Sequence, residues 1–126
     1  NMIAKKTVGE MIRLFGSSPS DIRAVIGPGI GFDSFQVGEE VALVFKESGF
    51  PVDRIWNFRG ARAEGSMEGG HHIDLKECVR ISLLDCGVPE ENIQVSDIDT
   101  YIDDRFYSAR REGTQTGRNI NAIKIV

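Results

Sequence analysis

The chain has 126 residues, 40% of them hydrophobic and 27% charged, with a net charge of −4. That is one domain's length and an ordinary globular composition, which argues against disorder and leaves enough core to fold without covalent staples. Two cysteines are too few for a disulfide scaffold, the acidic balance gives no footing for nucleic acid, and no apolar run approaches the ~20 residues of a membrane span.

The opening Asn1-Met2 carries no signal-peptide pattern. Asn1 reads as an expression remnant or processing scar, and Met2 as either a true or an internal start. Residues 3–15 place Val8, Met11, Ile12 and Phe15 at helical spacing, and Gly16 offers a left-handed stop. Ser17 to Ser20 turn around Pro19. Ile22 to Ile26 is a short apolar run expected as a strand, broken by Gly27-Pro28-Gly29-Ile30-Gly31. The helical period returns from Val37 to Ser48, with Val37, Val41, Val44 and Phe45 on one face, and Gly49 and Pro51 end it. Arg54 to Arg59 alternates as a strand. Gly60 to Gly70 is polar and glycine-rich and is expected as a mobile loop.

Asp74 to Cys86 predicts a helix, with Asp74 as cap, Glu77 at the capping-box position and Leu75, Cys78, Val79 and Leu83 as its buried stripe. Gly87 and Pro89 stop it. Ile93 to Ile98 reads as a strand. So does Arg118 to Val126, with Ile123 and Ile125 on its more buried face. Strands separated by helices predict a single α/β domain over 1–126, a mixed or mostly parallel sheet with helices packed on it.

The Gly27–Gly31 loop follows a strand, where phosphate-binding loops sit. Its spacing is not GxGxxG, no Lys-Ser/Thr follows, and Pro28 removes an N–H donor, so a rigid turn fits it better. His71 and His72 are adjacent, so they face opposite ways on a strand and diverge by ~100° on a helix. They are weak metal candidates and are expected at a loop-to-helix junction. Cys78 and Cys86 would lie ~12 Å apart along one helix, too far to share a zinc, and nothing local lowers the pKa of Cys86. No metal site is expected on this chain.

Asp97, Asp99, Asp103 and Asp104 surround Thr100-Tyr101. Paired carboxylates can hold a metal or move protons, but the spacing is not that of an EF-hand, and a solvated acidic turn is the simpler expectation. Phe106-Tyr107-Ser108-Ala109-Arg110-Arg111-Glu112 gathers two aromatics, a hydroxyl and two guanidiniums. Arginine grips phosphate bidentately and aromatics stack on bases, so this stretch suits a nucleoside or phosphate pocket. Its plain alternative is a surface helix start with Ser108 as N-cap and solvated arginines. Arg118 brings a further guanidinium.

These segments carry a resemblance. Ile26-Gly27-Pro28-Gly29-Ile30-Gly31 with Phe35-Gln36-Val37-Gly38-Glu39-Glu40-Val41 resembles the "IGPxIGPxxYEVGxEV" block of the YfiH-type laccase-domain family. His72-Ile73-Asp74-Leu75 is similar to its "hLDL" helix opening, and Gly87-Val88-Pro89-Glu90-Glu91-Asn92-Ile93 to its "GVPxExI" link. Thr100-Tyr101, Phe106 to Gly113 and Thr116-Gly117-Arg118 resemble "CTY…FFSYRRDG…TGR". The match is collinear over nearly the whole chain. It departs at Asp99, where the family often has Cys, at Ala109, which replaces an aromatic, and at Phe32-Asp33.

The resemblance implies a layered α/β fold and the C-terminal portion of a metal-linked purine nucleoside phosphorylase with adenosine deaminase activity, a family formerly called multicopper polyphenol oxidase. Its zinc or copper ligands, two His and one Cys in "QVHG", "ADC" and "HAGWRG", lie upstream of the matched region, and His71 and His72 do not align with them. This chain alone is therefore expected to be inactive and to carry no cofactor. The implied partners are a purine nucleoside and phosphate. Arg110, Arg111 and Arg118 would meet the anion, Phe106 or Tyr107 would stack on the base, and Ser108 and Thr100 are further binding candidates. The alternative is a non-catalytic nucleotide-binding or self-associating module. A homo-oligomer, or the missing N-terminal half, would cover faces left apolar. With no leader or structural disulfide in view, a cytoplasmic location is expected.

Overall fold

A computed structural model describes residues 2–59 and 70–124. The apolar spacing at the start produces α1 (Ile3–Phe15), which ends where Gly16 enters the left-handed region at φ 63°. A turn over Pro19–Asp21 leads into β1 (Ala24–Ile26). Next come β2 (Gln36–Val37) and α2 (Glu39–Glu47). A single turn, α3 (Val52–Ile55), runs directly into β3 (Trp56–Arg59). After β4 (Gly70–Ile73) the chain enters α4 (Leu75–Asp85), and Asp74 caps it by accepting the Glu77 N–H at 2.9 Å. β5 (Ile93–Val95) and the short α5 (Ala109–Glu112) complete the order.

The strands form two small sheets rather than one. β1 and β5 pair in parallel, Ala24 opposite Ile93 and Ile26 opposite Val95. β2, β4 and β3 form an antiparallel sheet in that order. The parallel pair needs the intervening helices as its crossover, which the alternating sequence pattern foretold. The antiparallel sheet did not show in the sequence, because β2 is too short for a period to develop and Gly70-His71-His72-Ile73 in β4 carries no apolar alternation.

Two apolar clusters hold the layers together. One joins Ala42, Ile55, Ile73, Cys78 and Ile81, with Ile55 and Ile73 wholly inaccessible. The other joins Val8, Ile22, Leu83 and Val88 and seats α1 on α4. Gly87, at φ 87°, brings the end of α4 within 3.3 Å of the Pro19 ring, measured from where a Cβ would stand. A side chain there would meet both a strained backbone and a neighbour.

Several expectations need correcting. Val37 lies in β2, and α2 buries Ala42 while Val44 is 58% exposed. Arg54 and Ile55 belong to a helical turn, so the strand begins at Trp56. On α4 the buried residues are Cys78, Ile81, Ser82 and Leu83, whereas Val79 faces outward. Cys78 and Leu83 are buried and Leu75 half-buried as expected, so of the predicted stripe only Val79 is misplaced, with Ile81 covered in its stead. His71 and His72 stand in a strand, not at a loop-to-helix junction. Residues 118–124 form no strand, and Ile123 is 78% exposed, because no described segment pairs with them. Gly70, expected in the loop, opens β4; the rest of that loop expectation at 60–69, and the expectation for Ile125, lie outside the described residues.

Candidate functional site

The site grows from the β3–β4 pairing. Phe58 lies opposite His71, and Trp56 shares the Phe58 face two residues earlier. The His71 ring is therefore flanked by both, with centroid separations of 5.2 Å to Trp56 and 4.9 Å to Phe58. The Trp56 indole N–H donates to His71 Nδ1 at 2.9 Å. An indole nitrogen can only donate, so Nδ1 accepts and the neutral ring carries its proton on Nε2. His72, on the other face, is buried, and its Nδ1 lies 3.3 Å from the Phe32 carbonyl.

On the opposite edge of β4, β2 brings Gln36 and Val37 alongside. Arg110 reaches across from α5. Its guanidinium lies 5.2 Å from the centre of the Phe35 ring and donates to the Gln36 carbonyl at 2.7 Å. Arg110, His71, Gln36, Gly38 and Glu39 thereby line one open cleft of about 640 Å³. An arginine, a histidine and a glutamate thus border the same space.

Arg111 has a different position. It donates to the carbonyls of Thr100 and Tyr101 at 3.0 Å each, of Asp103 at 3.3 Å and of Phe106 at 2.6 Å, and pairs with Glu112 at 2.6 Å. Its fork gathers the acidic turn onto α5. Ser108 caps α5 as the sequence suggested, accepting the Arg111 N–H at 3.4 Å, and both it and Thr100 are buried. Tyr107 is half-exposed. Its backbone exchanges two hydrogen bonds with the Asn119 side chain, at 3.0 and 2.8 Å, and its ring packs against Gly117, where a Cβ would come within 2.7 Å. Phe106 is half-buried. Arg118 donates to the nearby Thr116 and Gly117 carbonyls and stands apart from the cleft. Of the candidate residues, then, Arg110 and His71 meet in one cavity, while Arg111, Ser108 and Thr100 tie α5 to the turn before it.

The acidic turn is not simply solvated. Asp99 accepts Ser34 Oγ at 2.5 Å and the Tyr101 N–H at 2.9 Å, and Gly29 bridges to it in parallel. Burial pushes the Asp99 carboxyl up, but the hydrogen bonds from Ser34 and from the Gly31 and Tyr101 amides, with nearby Lys76, outweigh it and hold it below its ordinary value. Lys76 itself donates to the Ser96 and Ile98 carbonyls at 2.7 Å. The Arg105 hydrogen bonds hold Asp103 at about 2. Thr116 and Arg111 hold Glu112 below the usual carboxylate range. Burial pushes the Cys78 thiol up to about 12, with Asp74 and Glu77 adding to it.

The described residues do not fit a copper or zinc centre. His71 and His72 diverge across β4, Cys78 is sealed in the core, and no three His, Cys, Asp or Glu side chains converge among the described residues. No described helix is long and apolar enough to cross a membrane. Sequence reasoning missed Phe35, Gln36, Glu39, Trp56 and Phe58 as walls of the cleft and its surroundings. The one available signal was the Trp-x-Phe alternation at 56–58, which puts two aromatics on one face.

The chain's relatives agree with this architecture. The family model for the multi-copper polyphenol oxidoreductase laccase matches residues 1–126. A purine nucleoside phosphorylase of Bacteroides thetaiotaomicron is 43% identical over 124 residues, which is 98% of this chain and 44% of that protein. Adenosine deaminase RL5, from an unknown prokaryotic organism, is 37% identical over 122 residues, 96% of this chain and 44% of that protein. Among solved structures, YfiH of Bacillus licheniformis superposes with a TM-score of 0.75 at 34% identity, over 89% of this chain and 40% of that one. YlmD from Geobacillus stearothermophilus does so with 0.72 at 33% identity, over 91% and 41%. The chain thus spans less than half the length of these relatives. With a family model matched from end to end and the fold shared, the chain belongs to the multi-copper polyphenol oxidoreductase laccase family.

Proposed function

We propose that this chain supplies the nucleoside- and phosphate-binding wall of a purine nucleoside phosphorylase, and that it binds without turning substrate over when alone. The observation that carries this is the meeting of Arg110, His71 and Glu39 in one open cleft. In phosphorolysis a phosphate oxygen bonds to C1′ of the ribose while the C1′–N9 bond breaks. The purine leaves with the electron pair and takes up a proton. A guanidinium held over Phe35 is suited to gripping the phosphate and screening its charge. His71 offers a donor of fixed direction from Nε2, and the Glu39 carboxylate can accept from ribose hydroxyls. Names of relatives at 43% and 37% identity support purine nucleosides as the substrate class. Adenosine deamination would draw on the same recognition.

Inactivity alone follows on this reading from the ligand geometry. The ligands of any metal would come from outside the described residues, and the chain would act in the cytoplasm as part of a longer domain or assembly. Phosphorolysis of adenosine and inosine by the purified chain, with added zinc and with a chelator, tests it. No turnover in either condition, from a folded chain, is expected. Metal-dependent turnover would contradict the reading and turn attention to His71 and His72.

A further inference from the structure

His71 sits in the middle of a row that crosses the antiparallel sheet, with Val37 of β2 on one side and Phe58 of β3 on the other. Trp56 shares that face, two residues before Phe58. The imidazole is thus walled by an indole at 5.2 Å and a phenyl ring at 4.9 Å, and it borders the cleft that Arg110 and Glu39 also line. Trp56 itself is not a lining residue of that cleft. Its ring packs against the cluster of Ala42, Ile55 and Ile73, and its one side-chain N–H reaches His71 Nδ1 at 2.9 Å.

That single bond decides what the ring offers a ligand. A neutral imidazole has one N–H and one lone pair, and in water the proton exchanges between the two nitrogens. Against an indole N–H, Nδ1 can only accept, so the proton stays on Nε2. Turning the ring over would set a carbon against the indole and leave its half-buried N–H without an acceptor, which is costly. His71 therefore meets whatever enters the cleft as a donor, with no lone pair to offer.

A donor of one sense selects among the atoms of a purine. Adenosine and inosine differ at C6 and N1, where donor and acceptor are interchanged. They share ring acceptors only at N3 and N7. Of these, N7 belongs to the same five-membered ring as N9 and takes up the electron pair released as the C1′–N9 bond breaks. A donor at N7 therefore binds more strongly as the reaction proceeds.

We infer that Trp56 is a positioning residue for the cleft: it holds the His71 proton on Nε2, and Nε2–H donates to N7 of a bound purine nucleoside. This assignment rests on the nucleoside reading of the cleft given above.

Two measurements at pH 8, where an ordinary imidazole is neutral, test it. Nitrogen NMR shifts of the His71 ring in the ligand-free chain read the tautomer. Nδ1 is expected to be unprotonated and Nε2 protonated, and Trp56→Phe is expected to move both toward averaged values. Titrations with inosine and with 7-deazainosine, both in saturating phosphate, read the recognition. The chain is expected to bind inosine at least about fivefold more tightly, because the 7-deaza compound leaves the donor unpaired. That preference should shrink to less than about twofold in Trp56→Phe and in His71→Ala, and combining the two should shrink it no further. The wild-type tautomer and the wild-type preference are read on unaltered protein, so a variant that fails to fold leaves the test intact. Equal affinity of the wild-type chain for the two nucleosides, a His71 ring protonated on Nδ1, or a preference retained in folded Trp56→Phe would overturn the proposal and leave nucleoside binding standing. A chain that binds no inosine would overturn the nucleoside reading and the proposal together.

Discussion

Arg110 and Arg111 are neighbours in sequence and unlike in structure. Sequence alone treats them as a pair of anion-binding groups. The fold directs one guanidinium into a cleft and the other onto a set of backbone carbonyls. Arg111→Ala should therefore cost stability, on the order of 2 kcal/mol in a urea titration, since it orphans half-buried carbonyls. Arg111→Lys should restore little of this, because an ammonium cannot reproduce the planar fork. Asp103 gives a pH prediction with a definite sign. Its folded value of about 2 lies below the ordinary carboxylate value, so its contribution is complete above pH ~4 and is lost as pH falls through 2. The urea midpoint should drop over that window, and Asp103→Asn should flatten the drop. Cys78, held at about 12, should stay unreactive toward a thiol reagent at pH 8 until the chain unfolds. Asp103 with Arg105, and Arg111 with the carbonyls of Thr100 to Phe106, are local pairings, yet no spacing rule announces them. Ser108 as a cap was legible because capping depends on neighbours, whereas the partners of Asp99 include Ser34, sixty-five positions away.

At the scale of elements, legibility followed apolar pattern. α1 and α4 declare themselves through apolar spacing, caps and glycine stops, and the structure places both within a residue of expectation. Removing the α4 cap by Asp74→Ala should cost about 1 kcal/mol, measured by thermal or urea unfolding. Ile73→Ala should cost more, about 2–5 kcal/mol, because that side chain is wholly buried between the antiparallel sheet and α4. β2 escaped notice because it is two residues long, and β4 because Gly70-His71-His72-Ile73 lacks the apolar alternation that β3, of the same length, shows. The exposure of Val79 on α4 was also hidden. Val79 and Ile81 are equally apolar, and only the sheet beneath decides which of them is covered. The tail at 118–124 shows the reverse failure, an alternating pattern with no described partner to make it a strand.

For the whole molecule, one small fold presents two unlike surfaces. A polar cleft on the antiparallel sheet holds Arg110 and His71, and an apolar strip lies along β1 and α4. Membership of the laccase family accounts for the fold. The cleft carries the functional reading, and binding tests it most directly. Inosine with phosphate should be titrated into the chain, following Trp56 fluorescence and the amide signals of Gln36, Gly38 and His71. The account predicts saturable shifts at these positions and, for Arg110→Ala, at least a tenfold loss of affinity, about 1.4 kcal/mol. Shifts confined to other parts of the chain, or an unchanged affinity in Arg110→Ala, would contradict it.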